Sequence, residues 1–163
     1  MTFDGRAIAN YVLDASEAAG RPVTNLGLQK LVYFCHAWSL TILGGPLIRH
    51  QFEAWQFGPV LQYLYRDFKI FDRKPITTRA QKLNPGTGFT DTVGYVLDEE
   101  TAGLLEKVVG FYGRLSAGTL VELSHAEGSP WDHVWRHEGR VNPGMRISDE
   151  LIRQYYSRTP PPF

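Results

Sequence analysis

The chain has 163 residues, 43% hydrophobic and 21% charged, which suits one domain with a real core and excludes a disordered chain. Lysine plus arginine equals aspartate plus glutamate at 17 each, so no global field draws the molecule to nucleic acid or an anionic membrane. A lone cysteine, Cys35, excludes an internal disulfide and a cysteine-rich zinc site.

Residues Met1 to Arg6 lack a charged segment leading into an apolar signal core, so cytoplasmic residence is the default expectation. Asp4 can cap a first helix to about Ala19, with Gly20 as its stop and Ile8, Tyr11, Val12, Ala15 and Ala19 on one face. The short link Arg21-Pro22-Val23 makes the next helix its antiparallel neighbour. That second helix, residues 24–43, organises the chain. Thr24 offers its oxygen to the first-turn amides, and Gly44-Gly45 supplies a left-handed stop. Leu28, Leu31, Val32, Cys35, Trp38 and Ile42 follow helical spacing, while Leu26, Tyr33, Phe34, Ala37 and Leu40 widen the apolar surface. A helix apolar on most sides is surrounded by others. Gln29, Lys30 and His36 interrupt it, and it is too short to span a bilayer. With Asn25 these polar residues predict one edge that reaches solvent or a partner.

From Phe52 to Phe57 apolar residues alternate as in a short strand, with Phe52 and Ala54 on one side and Trp55 and Phe57 on the other. Gly58-Pro59 is read as its end, with Pro59 in the first turn of a helix to about Phe71 whose stripe is Val60, Leu61, Leu64, Tyr65, Phe68 and Phe71. Pro75 to Thr78 and Thr92 to Leu97 read as short strands around an Asn84–Gly88 turn. Asp98, Ser116, Ser129 and Ser148 are caps for four further helices. The first buries Leu104, Leu105, Val108, Val109 and Tyr112, and the third opens with Pro130-Trp131 and runs to about His137. Gly139 to Met145 is a loop, and the last helix ends near Tyr156. The fold class is mainly α with a small antiparallel β element within residues 50–97, in one domain over residues 1–157. Residues 158–163 form a proline-rich, loose tail.

The motifs of chemistry are thin. Glu122 and His125 have the Glu-x-x-His spacing of di-metal bundles, but no second copy exists. His133 and His137 stand one turn apart without an acidic partner at metalloprotease spacing. Cys35 and His36 are adjacent, so a helix points them about 100° apart and forbids a thiolate–imidazolium pair. No glycine-rich phosphate loop, nucleophile elbow or paired catalytic carboxylate is present. No metal or cofactor is expected. His125, Glu127 and Trp131 form a loop that either ties down the chain or shapes a recognition surface.

Thr24-Asn25-Leu26, Leu28-Gln29-Lys30-Leu31-Val32-Tyr33-Phe34, Glu53 to Val60, Leu64-Tyr65, His125-Ala126-Glu127, Pro130-Trp131 and Ile147 to Ile152 through Tyr156 stand in a fixed order and spacing. This ordered set resembles the Panacea domain of SocA-like antitoxins, also known as phage-associated GepA-like proteins. Two positions depart from it, Gly27 for a polar or charged residue and His36 for glutamine or asparagine. The resemblance implies a non-catalytic antitoxin that neutralises a cognate protein toxin by direct contact, with delivery to a protease, or help from a chaperone, as its variant. The expected contact residues are Gln29, Lys30, Tyr33, Trp55, Phe57, Tyr65, His125 and Trp131. The competing reading is a small metal-dependent or His/Glu hydrolase using residues 122–131. DNA binding is opposed by zero net charge and the lack of a recognition helix.

Overall fold

The computed structural model describes residues 1–136 and 145–163, and its described residues hold seven α-helices and two small sheets. The helix α1 (Gly5–Ala18) starts at Asp4, whose carboxylate accepts the Arg6 amide, and its chain reverses at Gly20, at φ +68°. Next comes α2 (Asn25–Trp38), which continues as a wider π turn over Ser39–Leu43 and stops at left-handed Gly44. Thr24 accepts the Gly27 amide at 3.2 Å, as its side chain dictates. This helix is the hub: α1, α3 (Gln62–Phe68), α4 (Glu99–Tyr112), α5 (Ala117–Ser124) and α7 (Asp149–Tyr156) all pack on it. Leu28, Val32, Tyr33, Cys35 and Ala37 have no exposed surface. Burial alone pushes the Cys35 thiol up, which leaves it an inert core residue. No helix among the described residues is long and apolar enough to cross a membrane.

Several expectations need correction. The polar edge of α2 does not reach solvent: Asn25, Gln29, Lys30 and His36 are all buried. Besides the bond between Gln29 and Asn25, their partners are main-chain groups and one carboxylate from segments 12 or more residues away. Ile42, expected on the core stripe, is 45% exposed because the π turn rotates the residues after Trp38 out of helical register. Gly58-Pro59 does not open a helix. It belongs to β2 (Gly58–Val60), which pairs antiparallel with β1 (Phe52–Trp55) around Gln56-Phe57, and α3 begins only at Gln62. A proline at the first helical position is a local preference. Here the hairpin register, Trp55 opposite Gly58 and Ala54 opposite Pro59, overrides it.

The strands expected at residues 75–78 and 92–97 reduce to a hairpin, β3 (Gln81–Leu83) and β4 (Thr90–Thr92), around the Asn84–Gly88 turn. A further strand, β5 (Arg146–Ile147), pairs with β1 and lies outside the 50–97 range. The caps at Asp98, Ser116, Ser129 and Ser148 each accept the expected first-turn amide. The helix that opens at Pro130, α6 (Pro130–Trp135), leads toward His137, which with residues 139–144 of the expected loop lies outside the described residues. At the end of the tail, Phe163 packs edge-on against Trp38 with ring centroids 5.6 Å apart. Three consecutive prolines are already extended, so docking the last residue orders little additional chain.

Candidate functional site

The polar residues of α2 act together as a clamp on the segment from Pro59 to Tyr65. Asn25 donates to the Tyr65 carbonyl at 3.0 Å, and Gln29 donates to Asn25 at 3.1 Å across one helical turn. Through its other atom, Gln29 accepts the Leu61 amide at 3.2 Å. That bond gives the amide of Leu61, the residue before α3, a partner in the buried interior. Lys30 donates its ammonium to the Pro59 carbonyl at 2.9 Å. Burial without a carboxylate partner lowers its pKa to about 7. His36 works about two turns further along the same helix. Its Nδ1 accepts the Ile48 amide at 3.1 Å, so the ring proton sits on Nε2 and is donated to Asp149 at 2.8 Å.

Above this clamp the fold gathers aromatic side chains from β1, α3, the residue after α5, and α6. The alternation of β1 buries Phe52 and Ala54 and leaves Trp55 half-buried, as strand geometry requires. Its indole meets the Tyr65 ring edge-on at 5.2 Å, so α3 covers one side of it. The indole of Trp131 donates to the Trp55 carbonyl at 2.6 Å. On the Trp131 ring lie His125 at 5.0 Å and Trp135 at 5.4 Å, the latter stacked within 16° of parallel. Phe57, at the tip of the β1–β2 turn, is 56% exposed, and Trp135 is 41% exposed.

Of the residues expected to contact a partner, Trp55, Phe57, Tyr65 and His125 thus keep surface on one side of the molecule, with Trp131 buried beneath them. Gln29, Lys30 and Tyr33 have no exposed surface and lie under or behind that face. Tyr33 packs among Phe34, Phe52 and Tyr156, and burial pushes its hydroxyl pKa up. Trp135 was not singled out by the sequence, although its place one turn after Trp131 puts both on the same side of α6. Of the residues of the hydrolase reading, Glu122 and Glu127 are exposed, while His125 packs at a 36° tilt against Trp131. No group of three metal-binding side chains occurs among the described residues.

The family model described as "Antitoxin SocA-like, Panacea domain" matches residues 28–132, which includes the clamp from Gln29, the β1–β2 hairpin and Trp131. The protein named Antitoxin SocA from Caulobacter vibrioides (strain NA1000 / CB15N) is 40% identical over 154 residues, covering 94% of this chain and 82% of the relative. No solved structure matches the chain.

Proposed function

The chain belongs to the SocA-like antitoxin family of Panacea domains, and from that premise we propose that it neutralises a cognate protein toxin by direct contact, without catalysis. The contact face is the aromatic one: Trp55, Phe57 and Tyr65, with His125 and Trp135 at its border. The observation that carries the reading is this convergence of half-exposed aromatics on a turn fixed from beneath. Tyrosine and tryptophan supply large contact area at low conformational cost, and such residues dominate the energy of protein interfaces. The rigid clamp reduces the ordering that binding would otherwise require. Gln29, Lys30 and Trp131 serve the face as its support and make no direct contact.

The test is co-expression with the protein encoded by the neighbouring reading frame. Trp55→Ala combined with Phe57→Ala should restore toxicity while the variant stays folded and abundant. If that variant protects as well as the parent, this face is not the contact. The same cells separate blocking from delivery: toxin held by simple contact stays constant when a protease is removed, whereas toxin delivered by an adaptor accumulates.

A further inference from the structure

Lys30 sits where an apolar residue would serve the core better. It has no exposed surface, forms no ion pair among the described residues, and uses one of its three donors, toward Pro59. Burying an ammonium without a paired charge costs stability. Core stability therefore does not account for an ammonium at this position. Its location does suggest a use. Gly58 has φ +107°, and a Cβ placed on it would lie 2.8 Å from Lys30 Cε and 2.7 Å from Ser124 Oγ. The lysine stem and the glycine thus occupy each other's space at the corner that follows Phe57. Across the hairpin Gly58 is paired with Trp55, whose carbonyl is held by Trp131.

We propose that Lys30 is a positioning residue for partner recognition: its amine fixes the Gly58–Pro59 corner from beneath and so sets the angle at which Trp55 and Phe57 meet the partner protein. This rests on the contact reading above. A neutral side chain of the same length fills the volume but leaves the Pro59 carbonyl without its donor. The corner then relaxes, and the turn must be ordered again at each encounter, which weakens binding without weakening the fold.

The experiment uses the intact chain with Lys30→Met, Gly58→Ala and Trp55→Ala. Its two readouts are amide exchange at Phe57 and Gly58, and affinity for the protein encoded by the neighbouring reading frame. For Lys30→Met the expected result is exchange about tenfold faster at the corner but unchanged within α2, an undiminished thermal midpoint, and affinity down about tenfold. Gly58→Ala, which pushes the corner from above, should lose affinity to a similar degree. A merely structural lysine would lower stability and affinity together. Lys30→Met with parental exchange, or with faster exchange but parental affinity, overturns the inference. If Trp55→Ala is impaired in that case, the contact reading survives alone. If Trp55→Ala binds like the parent, the contact reading itself fails, and the inference with it.

Discussion

The two β-hairpins of this chain are built of similar lengths of sequence and serve opposite structural ends. In β1 every second residue is buried and in β2 all three are, and the corner is held by Lys30, Gln29 and Trp131 from two different helices. In β3–β4 all six paired residues are exposed, Leu83 to 61%, and Phe89 just before β4 is 75% accessible. That hairpin is tied at its base. Buried Asn10 donates to the carbonyls of Ala80 at 3.0 Å and Val93 at 2.8 Å, and accepts the Ala80 amide at 2.8 Å. Both hairpins show apolar side chains to solvent. Only one shows them from a corner hydrogen-bonded to two helices, and preorganisation rather than exposure is what makes a surface suited to recognition.

The comparison can be broken from either side. Trp131→Ala should have the largest effect, about 3 kcal/mol or more, because it removes a large buried ring and orphans the Trp55 carbonyl. Chemical denaturation would measure it, and loss of the Trp55–Tyr65 contact should accompany it. Asn10→Ala should cost about 2 kcal/mol by leaving buried main-chain groups at Ala80 and Val93 unpaired. It should free β3–β4 to proteolysis yet leave toxin neutralisation intact.

Lys30→Met should act weakly in the opposite direction, raising stability by less than about 1 kcal/mol near neutral pH, because relief from burying an ammonium slightly outweighs the orphaned Pro59 carbonyl. The sign follows from linkage. The native pKa of about 7 lies below the ordinary 10.5, so within that window the unfolded chain holds a proton that the folded chain does not. Native stability therefore rises as pH climbs from about 7 toward 10.5 and is lowest below it, with a slope of at most about 1.4 kcal/mol per pH unit. Unfolding free energies measured below and within the window should show this slope in the parent and not in Lys30→Met. The smallest effect is expected on the second hairpin: Leu83→Thr with Phe89→Ser should change stability by less than about 0.5 kcal/mol, because exposed side chains contribute little.

What could be read from the sequence was local. The caps at Asp4, Thr24, Asp98, Ser116, Ser129 and Ser148 depend on one oxygen and the amides two or three residues on, and all form as the sequence suggests. The hub role of α2 followed from its apolar breadth. The fate of its polar residues did not, because Pro59, Leu61 and Tyr65 offer their main-chain groups only after the hairpin and α3 have folded back. A sequence pattern shows that Lys30 interrupts an apolar helix, and the simplest inference is that the interruption meets water. β5 was missed for a related reason, since two residues gain strand character only by pairing with a segment about ninety positions earlier. For the candidate site, residue types were visible while adjacency was not. Trp55, Tyr65, His125 and Trp131 come from separate elements, and only the packing of α3 and α6 against β1 brings them together.

The most direct test of contact neutralisation through the anchored hairpin is one affinity comparison. The parent, Trp55→Ala/Phe57→Ala and Leu83→Thr/Phe89→Ser are each titrated with the protein encoded by the neighbouring reading frame. The account predicts that the first pair of substitutions weakens binding by about 2–4 kcal/mol while the second leaves it at the parental value. Parental affinity in the Trp55/Phe57 variant, or a loss confined to the Leu83/Phe89 variant, would contradict it.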